Sequence, residues 1–444
     1  MRKACDVLVI GSGPLGAAAA RRLTDRGRDV LMIEQGPAIS DPAGSHVRNA
    51  ERFRNDPDAY LPVATSHLAF FDKSVERDRL PGAAVTRARG GQGAIWTNLC
   101  PRGDAPWDAL TPEEWETYYG IAEGYLGVQS EGFGESVRQQ RVRSRLGNHL
   151  APEGRRVEAL PVAARYDAAD RLYYTAPHDM LAGAIGPIEI AAGSAETLLT
   201  EGARARGAIV DGEAVEAKDI VVAAGAIGTP QLLQRSAIRP KALGRWLSYH
   251  PLLVAQLVLD ESFCAAPGVH DREPRLQIRP SGAADWYALV LRDVSPFDPT
   301  EPDKAVDPNR LVEIQMICPV DLHEEKRIVF DESGQPTFDV ALSADDRARM
   351  AKARADCDAF TALLGRYRAG CRPDWMPFGF AHMTGTTRMS AADDGSGVAD
   401  RDGRVWGFDN LYLATNGLIP TRMAVNPTLT GVALAAFVAD RVAR

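Results

Sequence analysis

Apolar residues first gather at Asp6 to Ile10 (D-V-L-V-I), a run too short for a helix and closed by glycines, which predicts a strand buried on both faces. Gly11-Ser12-Gly13-Pro14-Leu15-Gly16 predicts a turn, Ala17 to Arg26 a helix, and Asp29 to Ile33 the next strand, ending at Glu34. This is a βαβ unit of about 30 residues, the size a right-handed crossover needs. Asp219 to Ala224 (D-I-V-V-A-A) repeats the buried-strand pattern, followed by a glycine turn over 225–230 and a short helix with Leu232 and Leu233. Over 251–345 the pattern becomes alternating: V-A-Q-L-V-L, W-Y-A-L-V-L, L-V-E-I-Q-M-I and T-F-D-V-A-L. Alternation predicts an antiparallel sheet with one covered face. Ser343 to Leu364 reads as a charged amphipathic helix, and the chain closes on glycine turns and an Ala/Val/Leu helix. Thr111-Pro112-Glu113-Glu114 carries the cap, proline and glutamate of a helix start. Residues 40–85 show no period and predict a long surface excursion; 133–155, rich in Arg, Gly and Ser, mark a candidate boundary. The fold class is α/β, or α+β overall: a Rossmann-like domain and a second domain built on an antiparallel sheet.

Composition narrows the picture. A chain of 444 residues suits two domains of unequal size. Its 51 basic and 59 acidic residues leave a net charge of −8 with no basic tract, which argues against nucleic acid and anionic membranes as partners. No segment approaches the roughly 18 uninterrupted apolar residues of a membrane span. The opening residues run straight into the first strand, so no leader is expected. The six cysteines are scattered without a C-x-x-C pair, which predicts free thiols in a reducing cytoplasm and no metal site.

The chemistry starts at the glycine turn. G-x-G-x-x-G between a strand and a helix, with an acidic residue ending the next strand, is the constellation of a dinucleotide site. Gly11 permits the turn, Gly13 the approach of a pyrophosphate, and Gly16 close helix packing, while Glu34 can accept from a ribose hydroxyl. The helix N-terminus offers partial positive charge to the phosphates. FAD and NAD share this fingerprint, but a nicotinamide enzyme needs no further glycine-rich contacts near the other end of its chain. Here Gly90-Gly91-Gln92-Gly93 forms a second turn, and the tail holds His382 in a Gly/Thr-rich turn and Asn426 just before Pro427 and the last helix. An imidazole is suited to take a proton near neutral pH. A carboxamide holds no charge and orients what it binds. Together they form a candidate acid–base pair, His382 the titrating member and Asn426 the orienting one, and an FAD-dependent redox enzyme is the economical reading.

Seven segments in order along the chain then show a family likeness: D-V-L-V-I-G-S-G-P-L-G, G-G-Q-G-A-I-W-T-N at 90–98, I-V-V-A-A-G-A-I-G-T-P-Q-L-L at 220–233, L-G-R-W-L-S-Y-H-P at 243–251, Q-P-T-F-D-V at 335–340, H-M-T-G-T-T-R-M at 382–389 and N-P-T-L-T at 426–430. The chain resembles the glucose–methanol–choline oxidoreductases, and within them the pyranose 2-oxidase and C-glycoside 3-oxidase branch. The resemblance implies an FAD-binding domain of residues 1–135, 188–250 and 381–444, with a substrate domain of 136–187 and 251–380, in a p-hydroxybenzoate-hydroxylase-like arrangement. It places FAD against Gly11, Gly13, Pro14, Leu15, Gly16, Glu34 and Gln35; against Arg89, Gly90, Gly91, Ile95, Trp96, Thr97 and Asn98; and against Ala224, Gly225, Thr415, Asn416, Asn426, Pro427 and Thr428. It puts His382 and Asn426 before the flavin ring and likens 292–297 to a substrate loop, with Arg292, Asp293 and Phe297 as substrate residues. Tyr173, Tyr174, Trp286 and Phe297 are candidates for an aromatic sugar platform, and His250 for packing near the flavin. Fungal members carry a flavin-linking histidine where this chain has Ile95, so FAD is expected to be non-covalent. The chain is also shorter than the fungal members, which implies a monomer or small homo-oligomer. The expected reaction turns a secondary ring hydroxyl of a sugar, glycoside or related polyol into a ketone, at position 3 of a glycoside before position 2, with oxygen, a quinone or a redox dye as electron acceptor. An aminocyclitol, nucleoside or other secondary-metabolite alcohol is the alternative substrate, and a non-catalytic flavin-binding homologue the alternative of another class.

Overall fold

A computed structural model describes residues 2–444 apart from 56–59, 72–79, 81, 104–106, 267, 283, 293–300, 372 and 377–381. Val7, Leu8 and Val9 are fully buried, and their strand Ala4–Ile10 lies inside a seven-stranded sheet. It pairs in parallel with Val30–Glu34 on one side and Glu213–Val222 on the other. Glu189–Ala192 extends the parallel set beyond Val30–Glu34. The ten-residue strand Glu213–Val222 serves two neighbours. Its first half pairs antiparallel with Arg204–Val210, and its end pairs in parallel with Leu411–Leu413. Five parallel strands thus end at one sheet edge, at Ile10, Glu34, Ala192, Val222 and Leu413. That edge is where open α/β sheets bind ligands.

Helix Pro14–Asp25 lies against the terminal helix Thr428–Val442. Both faces can approach closely because Ala17 to Ala20, Ala433, Ala435 and Ala436 are small and fully buried. Arg22 and Arg26 close the far end of the contact on Asp440. The terminal helix is apolar nearly all round, as a helix buried between others must be.

The second sheet is also seven-stranded and wholly antiparallel. Its central strands are Leu252–Leu259, Leu311–Ile317 and Tyr287–Leu291. One face (Leu253, Ala255, Leu257, Val312, Ile314, Met316) packs with helices Val137–Leu150 and Ala344–Leu364. The other face (Tyr287, Leu289, Leu291, Ile317) joins the core of the first domain beside Leu110, Met423 and Ala424.

Four expectations change. Both faces of the second sheet are covered, and all seven residues of Leu311–Ile317 are buried. The polar half of the alternation therefore points inward at the domain junction, not at water. The T-F-D-V run leaves this sheet and pairs as Pro336–Asp339 with Arg327–Phe330. Residues 133–155, read as a candidate boundary, hold helix Val137–Leu150, whose apolar stripe is Val142, Leu146 and Leu150. Ser136 caps it, and the buried Asp271 carboxylate accepts the N–H groups of Val137 and Arg138. Four arginines diluted that stripe below notice in the sequence. The 40–85 stretch is broken into short pieces, including helix Glu51–Asn55 and the hairpin Leu68–Phe70 with Ala84–Thr86.

Candidate active site

The three glycines of the opening turn have different reasons. Gly11 has φ +108°, and a Cβ there would sit 2.5 Å from the Ala223 carbonyl oxygen. A Cβ on Gly16 would fall 2.1 Å from the Gly11 carbonyl oxygen. Both are demanded by the protein's own packing. A Cβ on Gly13 would meet no protein atom within 4 Å. Gly13 is also the N-cap of Pro14–Asp25, with no side-chain cap among the described residues. Backbone N–H groups are thus presented at an uncapped helix start, the arrangement that holds a phosphate. The second turn abuts this one, since a Cβ on Gly91 would lie 3.1 Å from Gly13 Cα.

Glu34 knits these turns together. Its carboxylate is buried and accepts the Ser12 N–H at 3.0 Å, the Ser12 hydroxyl at 2.7 Å and the Gly36 N–H at 2.7 Å. Ser12 Oγ in turn accepts the Gly90 N–H at 2.8 Å. An ionised carboxylate offers about four acceptor positions, so one remains for an outside donor such as a ribose hydroxyl. The Gln35 side chain beyond it is exposed. Beside the turns lies a cavity of about 280 Å³ lined by Ser12, Gly44, Arg89, Gly90, Pro177 and His178, among others.

A second uncapped helix start faces the same region. Thr428–Val442 begins at Pro427 with no side-chain cap among the described residues. Leu15 and Asn416 press on its first turn: a Cβ on Gly431 would be 2.9 Å from Leu15 Cδ2 and 2.0 Å from Asn416 Oδ1. That Oδ1 is buried and has no hydrogen-bond partner among the described residues. Thr415 Oγ1 accepts the Gly417 N–H and holds this loop. Ala224 and Gly225 follow strand Glu213–Val222, with Gly225 at φ +77°. On another side, Trp96 donates its indole N–H to the Thr175 carbonyl at 3.1 Å and accepts from His46 Nε2 at 2.8 Å. Asn98, at φ +59°, donates to the carbonyls of Ala163 and Thr175. Thr97 sits half-buried between these two anchored residues. The Ile95 side chain packs with Val47, Phe53 and Ala64.

His382 and Asn426, 44 positions apart, meet in this fold: His382 Nε2 lies 2.7 Å from Asn426 Nδ2. His382 adopts φ +64°, a left-handed conformation uncommon among non-glycine residues. Its strand is held against 244–250, because Ser248 and Thr384 exchange two backbone hydrogen bonds and Gly244 donates to Thr386. Gly385 makes this approach possible, since a Cβ there would be 2.1 Å from the Trp246 carbonyl oxygen. The same pairing brings in His250, whose Nδ1 is 3.0 Å from His382 Nδ1 and whose Nε2 is 2.6 Å from the Met423 carbonyl oxygen. Burial pushes His250 down to about 4, against the raising effect of the Met423 carbonyl. Burial, and then the neighbouring His250, hold His382 well below the usual histidine range. Both rings are therefore neutral at neutral pH. His250, for which packing near the flavin was the favoured expectation, is bonded directly to the candidate base.

The loop carrying Met423 is tied to the second domain through Arg422, which bonds Asp321 at 2.9 Å and Asp285 at 2.5 Å. Arg349 bonds the same two carboxylates at 2.8 and 3.1 Å. The inward face of the second sheet adds a polar row that sequence reasoning missed: Gln256, Gln277, Glu313 and Gln315. Tyr287 donates to Gln277 Oε1 at 2.8 Å, Gln315 to Glu313 Oε1 at 2.5 Å, and Arg368 to Gln256 Oε1 at 2.7 Å. The row alternates with apolar residues, so it looked like a solvent face.

Arg292 directly follows strand Tyr287–Leu291, whereas Asp293 and Phe297 lie outside the described residues. The aromatic platform needs correcting. Trp286 is 1% exposed on the outer face of the sheet, under the Arg155 guanidinium and bonded to Asp356. Tyr174 is buried and stacks on His46, and Tyr173 is bonded to Asp179. Core packing explains Trp286 and Tyr174, whereas Tyr173 is half-buried.

Comparison with known proteins bears on the family and the fold. The GMC oxidoreductase family models match residues 200–252 and 330–435, and an NAD(P)-binding Rossmann-like model matches 9–74. The chain is 32% identical to a C-glycoside 3-oxidase of Microbacterium trichothecenolyticum over 99% of this chain and 96% of that protein. It is 29% identical to a pyranose 2-oxidase of Tricholoma matsutake over 98% of this chain and 93% of that protein. The crystal structure of pyridoxine 4-oxidase from Mesorbium loti superposes with a TM-score of 0.67 at 17% identity, covering 98% of this chain and 99% of that one, a likeness of fold.

Proposed function

The chain belongs to the GMC oxidoreductase family and is an oxidoreductase acting on CH–OH groups, and on that premise we propose that it uses FAD to oxidise a secondary ring hydroxyl of a sugar or glycoside to the ketone. The observation that carries this reading is the contact of a neutral His382 with Asn426 at the start of an uncapped helix. The residues fit the cofactor. Gly13 and the start of Pro14–Asp25 would hold its pyrophosphate, the free acceptor position of Glu34 its adenosine ribose, and Asn416 its flavin end. When bound, FAD supplies the hydride acceptor.

The chain's own residues do the rest. The lone pair of the His382 imidazole takes the hydroxyl proton as the C–H bond is broken. Asn426 bonds the same oxygen and fixes which C–H faces the cofactor. The uncapped start of Thr428–Val442 offers partial positive charge where negative charge accumulates. Gln256, Gln277, Glu313 and Gln315 present a mixed donor–acceptor row suited to sugar hydroxyls. Position 3 of a glycoside is the favoured site, since both C-glycoside 3-oxidase relatives share more identity than the pyranose 2-oxidases do. Oxygen is the favoured electron acceptor, because these relatives are oxidases. FAD is held non-covalently, as Ile95 has no atom able to form a link.

The test is anaerobic mixing of the FAD-loaded protein with a panel of C- and O-glycosides, free sugars and aminocyclitols, followed at the flavin band. Bleaching by glycosides with a 3-keto product supports the proposal. Bleaching by aminocyclitols alone, or by no alcohol, overturns it. His382→Ala keeps the bound flavin but slows bleaching about 10²- to 10⁴-fold, the usual contribution of a general base; unchanged bleaching would remove His382 from that role.

A further inference from the structure

We propose that His250 is a positioning residue which holds His382 in the tautomer with its proton on Nδ1, so that the Nε2 lone pair stands ready beside Asn426. The inference rests on the reading of His382 as the base and specifies what prepares it.

The argument is an accounting of protons along one line of atoms. The Met423 carbonyl oxygen can only accept, so the 2.6 Å contact requires a proton on His250 Nε2. A neutral His250 then has its lone pair on Nδ1. The 3.0 Å contact between the two Nδ1 atoms needs one proton, and it must come from His382. A neutral His382 with a proton on Nδ1 has its lone pair on Nε2. The Asn426 amide meets that lone pair with its NH₂ group at 2.7 Å. Its oxygen is left buried without a partner among the described residues, free to accept from a bound hydroxyl. The reversed assignment, with a proton on His382 Nε2, would oblige His250 to carry two protons in a site where it is 4% exposed. One carbonyl therefore sets the proton positions on both rings.

Geometry keeps that carbonyl in place. Arg422, the residue before Met423, is anchored on Asp321 and Asp285 of the second domain and does not bond either ring. Among the described residues no carboxylate or cationic side chain hydrogen-bonds His250 or His382. A carbonyl here does what a carboxylate does in other histidine pairs, fixing the tautomer without placing a negative charge nearby. When His382 Nε2 gains the substrate hydroxyl proton, the Nδ1 proton can pass to His250 Nδ1. His382 then ends neutral with its proton on Nε2, and His250 ends as the cation, so the positive charge moves one ring away from the substrate.

Two measurements test this. In histidine-labelled, FAD-loaded protein, ¹⁵N shifts assigned with His250→Asn and His382→Gln should show His382 protonated at Nδ1 and His250 at Nε2. The opposite pattern on His382 overturns the proposal. In rapid-reaction kinetics, His250→Ala should slow flavin reduction about 10- to 100-fold with KM little changed, and move the acid limb of the rate–pH profile towards the ordinary histidine value. His250→Asn, whose Oδ1 can stand where Nδ1 stood, should recover most of the rate. A native rate in His250→Ala, or no recovery in His250→Asn with flavin still bound, overturns it. If His250→Ala fails to hold flavin, the ¹⁵N pattern of the native protein decides. Native reduction by His382→Ala would be a different failure, that of the base itself.

Discussion

His250 and His382 share an environment that disfavours charge in the resting protein, and this has a consequence for stability as well as for catalysis. In the unfolded chain a histidine takes up its proton near pH 6.5. Folded His250 resists until about 4. Between those values the unfolded state binds more protons, so stability rises with pH and is lost as pH falls through the window. Thermal melts of the native protein should therefore drop between pH 6.5 and about 4, and His250→Asn should flatten that slope. Asp346, bonded to Lys326 and held at about 2, loses its contribution only below the ordinary carboxylate value, so the two windows separate. A melting temperature flat from pH 7 to 4 would count against a buried neutral pair. His382 itself was legible from its motif, but its partner was not: S-Y-H-P gives no sign that an imidazole 132 positions upstream will lie nitrogen to nitrogen with it.

Among the elements, the strand–turn–helix at the start was legible to within three residues, because each of its glycines answers to a local constraint. The three constraints differ and can be told apart. Gly11→Ala and Gly16→Ala push a methyl group into carbonyl oxygens and should each lower the melting temperature of the cofactor-free protein by about 1–3 °C, the scale of about 1–3 kcal/mol of overpacking in a chain of this length. Gly13→Ala has room and an ordinary φ of −62°, so the cofactor-free protein should melt close to the native temperature while its FAD affinity falls at least about tenfold. Flavin titration beside melting curves checks this. Equal loss of stability in all three variants would contradict the separate roles. The helix Val137–Leu150 and the polar row of the second sheet were not legible. An arginine-rich segment gives no sign of a helix until Asp271 is seen capping it. Alternating glutamines look solvated until another domain is seen lying over them.

For the molecule as a whole, the two sheets meet so that one edge offers the glycine turns and the other sheet offers a buried polar face. Among the described residues no helix is long and apolar enough to cross a membrane, and all six cysteines are free thiols. The apolar packing of Ile95 leads to a whole-protein prediction: acid precipitation of the purified enzyme should leave the yellow colour in the supernatant and a colourless pellet. Flavin retained in the pellet would show a covalent bond elsewhere.

By itself the chain determined the periodicities and the dinucleotide turn and offered His382 as a candidate, since each is written in residues close together and answers to local sterics or chemistry. Only tertiary structure decided which polar residues face inward, which segments cross between domains, and which nitrogen of His382 is free. Those depend on contacts between residues far apart in the chain, and a hydrogen-bond line running through a backbone carbonyl leaves no mark on the side chains that spell the sequence.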